Sequence, residues 1–309
     1  MRSLLEFREY LRVFYSKYDV YIKPAGKFLL AFVVLQVINA RLGYMSRIDS
    51  VSMVLIAALM CSFMPRNFVV ICATAFILLH LYALSIECAI VGLLLFFIMF
   101  LLFFRFASKD TVVVAILPVL FVMKIPYVIP VAMGLLATPV SAVSVGCGVA
   151  VYYFLHFITE NEPALTAMGE DDMMTRFRFI VDGLLANKGM LVLIIAFAIT
   201  IAVVYIVRRL AINYAWTIAM IAGVLVQLVV LLFGDLVAET GVSIAGVILG
   251  SVLALAVGKV LEFFFFNLDY PRTEKVQFED DEYYYYVKAV PKVTVTTPEK
   301  RVKKISSKQ

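Results

Sequence analysis

The sequence predicts an all-α protein: a polytopic transmembrane helical bundle of about eight crossings (eight or nine), with a re-entrant or broken segment near 111–135 and interfacial amphipathic helices. Three observations predict it. The chain is 63% hydrophobic and 16% charged, with mean hydropathy +0.99, where a soluble chain is roughly half apolar and a quarter charged. Apolar runs long enough to span a hydrocarbon core recur from Phe28 to Phe266, and a soluble core has no need of several such runs in series. Basic residues crowd both ends of the chain, which the positive-inside rule places on the same, cytoplasmic side.

Three regions follow in chain order. Residues 1–26 read as an amphipathic segment at the cytoplasmic interface: Leu4, Phe7, Leu11, Phe14 and Tyr18 recur at helical steps, with Arg2, Glu6, Arg8, Glu9 and Arg12 between them. Pro24 and Gly26 are expected to break the chain before Lys27. No short apolar core with a cleavage site stands at the N-terminus, so a removable signal peptide is not expected. Residues 27–267 form the transmembrane domain, and residues 268–309 a polar, flexible cytoplasmic tail.

Within the middle region, apolar segments lie near 28–44, 50–64, 67–84, 87–104, 111–135, 139–158, 190–207, 212–233 and 241–266. Nine full crossings would put the basic ends on opposite faces, so one segment is expected not to cross. The stretch 111–135 is best built to fail. It carries Pro118, Pro126 and Pro130, followed by Pro139, and proline removes a donor and clashes with the preceding turn. Lipid tolerates broken helix only where protein or a wet cavity satisfies the backbone. A re-entrant hairpin bent near Lys124–Pro126 keeps both termini cytoplasmic and leaves only Arg41 and Arg47 on the wrong side. The pair of segments around Pro65–Arg66 is the alternative irregular element.

The loop 159–188 is amphipathic. Met173, Phe177, Ile180, Val181, Leu184 and Leu185 share a helical face, and Asp171 and Asp172 sit where a helix start favours anions. Two matches, Arg105-Phe-Ala with Arg209-Leu-Ala and Thr138-Pro-Val-Ser141 with Thr240-Gly-Val-Ser243, suggest an internal repeat or chance in low-complexity sequence. The spacing Gly246-x-x-x-Gly250 suits close helix approach.

Ionisable groups inside a span are costly and therefore informative. Lys124 stands alone in its apolar stretch, and with Pro126, Pro130, Thr138, Ser141 and Gln227 it forms the candidate solute or ion site. A shallow lysine reaching for the interface is the plainer reading of the same residue. His80, Glu87 and His156 read as interfacial, and Lys259 with Glu262 as an anchoring pair. The four cysteines, Cys61, Cys72, Cys88 and Cys147, lie in apolar segments without a metal or redox spacing. No hydrolase, zinc-protease or phosphate-loop motif occurs, so no enzyme, metal or cofactor is expected.

In the tail, Glu279-Asp-Asp-Glu282 runs into Tyr283, Tyr284, Tyr285 and Tyr286, then a β-branched run and Lys300 to Lys308. The tyrosines are the candidate partner-binding residues, since such a strand can add to a partner's sheet edge; the basic end suits lipid phosphates. The leading expectation is a permease-like transport component of the cell (plasma) membrane for a small solute or ion. The alternative is a non-catalytic scaffold or assembly subunit that docks a protein through the tail. The bilayer is the first partner in both. A homo-oligomer or a separate ATPase subunit fits the transport reading, and nothing points to nucleic acid.

Overall fold

The computed structural model describes residues 2–168, 173–241, 243–266, 268 and 270–292. Asp171, Asp172 and the basic run Lys300 to Lys308 lie outside them. The described chain is overwhelmingly helical, with thirteen α-helices and one two-stranded hairpin. It divides into two compact units, Val20–Glu262 and a second made of Met1–Asp19 with Phe263–Gln309.

The larger unit holds α2 (Asp19–Leu42), α3 (Val51–Phe63), α4 (Phe68–Leu84), α5 (Ile86–Phe106), α6 (Thr111–Val122), α7 (Val128–Leu136), α8 (Ser141–Glu160), α9 (Glu162–Ala167), α10 (Met173–Leu185), α11 (Lys188–Arg208), α12 (Ala215–Ala238) and most of α13 (Ile244–Phe265). Among the described residues six helices are long and apolar enough to cross a membrane: α2, α5, α8, α11, α12 and α13. α3, α4 and α6 are apolar but shorter.

Packing partners fix the running sense of each helix. Leu117 of α6 packs over Gly148 and Phe121 stacks on Tyr152 at 4.3 Å, so α6 runs parallel to α8. Tyr127, at the start of α7, meets Phe197 edge-on at 6.2 Å, and Gly134 lies under Val204, so α7 runs parallel to α11. Gly146 faces Ile194 while Gly189 faces Tyr153, which makes α8 and α11 antiparallel. α6 and α7 therefore run in opposite senses, α6 against α8 and α7 against α11 and α12. Their junction sits about midway along the bundle: Phe197 lies near the middle of α11, and Gln227, bonded to the Tyr127 carbonyl at 3.3 Å, near the middle of α12.

Two local expectations change. Helix α2 continues through Pro24 and Gly26 rather than breaking there. Proline costs one backbone bond, here to the carbonyl of Val20, which is 78% exposed and can turn outward. The proposed repeat aligns α5–α6–α7–α8 with α11–α12–α13, but the middle element is a broken pair in one and the unbroken 24-residue α12 in the other.

The smaller unit contains α1 (Arg2–Lys17), the end of α13 and a hairpin. The Arg8 guanidinium donates to the Phe263 carbonyl at 3.3 Å and lies 5.8 Å from that ring's centre. After a 3-10 turn at Tyr270–Arg272, β1 (Glu274–Glu279) pairs antiparallel with β2 (Tyr284–Ala289), Glu274 opposite Ala289 and Glu279 opposite Tyr284. The expected strand thus finds its first partner inside its own tail. Asp280 makes the turn: its carboxylate accepts from the backbone N–H groups of Glu282 and Tyr283 at 3.0 and 2.7 Å and from the Tyr285 hydroxyl at 2.9 Å. Those two backbone donors, then the hydroxyl, hold the Asp280 carboxyl below the usual carboxylate range.

Candidate functional site: a cavity beside the α6–α7 break

Helix α6 ends in a left-handed cap. Lys124 adopts φ 62°, its N–H donating to the Phe121 carbonyl at 3.0 Å, and the Ile125 N–H reaches back to Leu120 at 2.9 Å. Those bonds satisfy carbonyls a helix end would leave bare. Pro126 follows, and a proline disfavours helical backbone in the residue before it, so the chain cannot resume α6. Ile129 N–H bonds Pro126 at 3.2 Å to begin the next turn. Left-handed backbone normally falls to glycine, and a side chain there costs about 1–2 kcal/mol. Lysine occupies it here.

Beside this break lies a cavity of about 290 Å³ between α2, α4, α5, α6 and α8. That is just below the roughly 300–1,000 Å³ typical of small-molecule pockets. Its walls are apolar along most of α6, from Val114 and Ala115 to Val122, opposite Ile38, Ala73, Phe103 and Cys147. Arg41, Lys124, Tyr152, His156 and Thr159 line it together, with buried Thr74 of α4 a further polar group on its wall. The Tyr152 ring stacks between Phe121 and His156, with centroids at 4.3 and 5.5 Å. His156 pairs with Glu160 at 3.2 Å, and Thr159 turns its hydroxyl onto the carbonyls of its own helix. Among the described residues, no carboxylate lies within ion-pair distance of Arg41 or Lys124.

The cavity exists because α2 is stitched to its neighbours at its ends. At one end the Lys27 ammonium donates to the Met64 carbonyl at 2.7 Å and the Ser62 hydroxyl to the Pro24 carbonyl at 3.0 Å. At the other, buried Asn39 bridges the Ile48 carbonyl and His80 at 2.7 and 3.0 Å, and His80 Nδ1 accepts from the Met45 N–H. A further polar layer caps this end. Arg176 of α10 pairs with Glu87 at 3.6 Å, both side chains nearly buried, and the Tyr44 hydroxyl donates to Glu162 at 3.1 Å. Burial first, then the Glu162 charge, pushes the Tyr44 phenol up, so it stays a donor.

The residues singled out from sequence separate into two places. Lys124 and Pro126 make the break, with Pro130 buried one turn on, and Gln227, fully buried, holds the Tyr127 carbonyl beside it. Thr138 and Ser141 lie past the far end of α7. There the Ser141 hydroxyl donates to the Thr138 carbonyl at 2.6 Å in the turn that opens α8, away from the cavity wall. Arg41, Tyr152 and His156 join the cavity unforeseen. One signal did mark Arg41: it was a misfit to the positive-inside pattern. The four tail tyrosines, Tyr283 before β2 and Tyr284, Tyr285 and Tyr286 within it, are exposed, from 37% at Tyr285 to 80% at Tyr286, and Tyr285 stacks on Phe278 across the hairpin at 4.9 Å. Among the described residues no three His, Cys, Asp or Glu side chains gather into a metal-sized cluster.

Fold and cavity together define a multi-pass helical membrane protein with a partly open, largely apolar chamber that carries two cations. No protein family, no curated protein and no solved structure matches the chain.

Proposed function

We propose that this protein is a transport component of the cell membrane whose solute occupies the cavity beside the α6–α7 break. The carrying observation is that the cavity, apolar along most of its wall, reaches Lys124 and Arg41, two exposed cations at its rim without a described counter-ion. Charges in such places mark solute paths more often than anchors, and broken helices line such sites in transport proteins.

A topology goes with this reading. The arms α6 and α7, of 12 and 9 residues, run in opposite senses and so bring the chain back toward the face from which α6 starts. We read them as a re-entrant hairpin. With α3 and α4 counted beside the six long helices the crossings number eight, and both termini are cytoplasmic. Single cysteines at the exposed positions 167 and 236 then react with an impermeant reagent from outside; protection of either, while a cytoplasmic site reacts, overturns the topology. The function is tested in vesicles that report anion movement with an internal pH dye. Wild-type protein accelerates flux over empty vesicles and Lys124→Ala changes it; equal rates in all three sink the reading. A homo-oligomer or a separate ATPase subunit would supply any coupling.

The second reading, a scaffold or assembly subunit, is favoured by the hairpin, whose exposed aromatic strand offers a partner both backbone and ring surface. Deleting residues 275–309 abolishes function and a specific pull-down if that reading holds. A silent deletion removes it.

A further inference from the structure

We infer that the cavity takes a single-chain anionic amphiphile, its head group held by Arg41 and Lys124 and its chain laid along α6 toward Ala115 and Phe103. This deepens the transport reading and rests on it for the identity of the site. The two ends of the chamber impose the ligand's chemistry. The stretch of α6 that lines it, Val114 to Val122, spans about 12 Å at helical rise, and such an apolar length holds no water without polar partners. An inorganic ion would leave that length empty, and an uncharged chain would leave both cations unanswered. A volume of about 290 Å³ suits one alkyl chain rather than the two of a bilayer phospholipid. His156 lies on the same rim, and its Glu160 partner is the acidic group there. It is engaged by the histidine and leaves Arg41 and Lys124 available. Tyr152, flanked by two rings, forms a rigid wall where head and chain meet.

The test is binding of radiolabelled dodecyl phosphate to the full chain in phosphatidylcholine nanodiscs, with empty discs as the blank. Saturable binding is expected, competed by unlabelled dodecyl phosphate and not by dodecanol or inorganic phosphate. Arg41→Gln and Lys124→Gln each lose about tenfold in affinity, the size of one charge-assisted hydrogen bond. Both side chains are solvent-exposed, so neither change endangers the fold. Ala115→Phe, which fills the chain end, abolishes binding while its melting profile stays sigmoidal. Competition by single-chain lysophosphatidylglycerol placed in the disc assigns the ligand to the bilayer, and its absence to the aqueous phase; both sustain the inference, whereas equal competition by two-chain phosphatidylglycerol overturns it. Equal competition by dodecanol, binding of inorganic phosphate as tight as dodecyl phosphate, or indifference to both charge changes overturns it. Binding without flux keeps the ligand class and removes transport. Flux of other anions without this binding does the reverse.

Discussion

The side of the bundle formed by α11, α12 and α13 and the side on which α2 faces the cavity use the same apolar residues, and α2 is seated by opposite means. On the first side, glycine lets helices touch. Gly134 of α7 and Gly223 of α12 both lie against Val204 of α11, leaving no room for a methyl group at either. On the second side, α2 is held at its ends by Lys27, Ser62, Asn39 and His80, and the space between the ends stays open as the cavity. Close approach gives dispersion contact along a whole helix. Polar ties fix position without filling volume. A protein that needs both rigidity and a chamber can separate them this way.

The contrast can be broken from either side, and the largest effect is expected at the polar cap. Arg176→Met strands the Glu87 carboxylate in a nearly buried place and should cost about 3–5 kcal/mol, read as a lower melting temperature in detergent. Adding Glu87→Met to it should restore most of the loss. A double variant as unstable as the single one would show that the ion pair is not the tie.

Gly223→Leu should follow, at about 1–3 kcal/mol or more of overpacking, because Val204 has nowhere to go. Ala73→Leu adds comparable bulk on the cavity side and should leave the melting temperature unchanged or raise it. Equal losses in the two variants would mean that the chamber closes in solution.

Lys124→Gly relieves the left-handed backbone and should gain about 1 kcal/mol, whereas Lys124→Ala removes the same charge and should gain nothing. Equal melting temperatures would show that the cap is not strained.

The smallest effect is at the hairpin turn. The Asp280 carboxyl is depressed in the folded state, so its contribution is complete above the ordinary carboxylate value of about 3.9 and is lost as pH falls through the lower folded value. Slowed amide exchange at Tyr283 should therefore disappear at acid pH, and Asp280→Ala should remove it at neutral pH. Protection that survives both would assign the turn to the strand pairing alone.

Much of this arrangement was legible in the residues. The apolar segments at 50–64, 67–84 and 87–104 became α3, α4 and α5 nearly residue for residue, because serine caps and proline turns bound them. Ser50 and Ser85 each accept from a backbone N–H of the first turn, a local signal. The break at Lys124–Pro126 was equally readable, since Pro126 acts on its immediate neighbours. Pro24 misled for the complementary reason. A proline near a helix start loses only one bond, and its neighbours decide whether that matters.

By itself, the sequence determined the helical class, the membrane-length segments and the place where one of them breaks. Each depends on hydrophobicity summed over a window or on the backbone chemistry of adjacent residues, and these are properties a chain has before it folds. Only the tertiary structure decided that α6 turns back as α7 against different neighbours, and that Arg41 and Lys124 line one chamber. Those are contacts between residues tens of positions apart. They are selected by which surfaces can approach closely and which are held apart by polar ties at their ends.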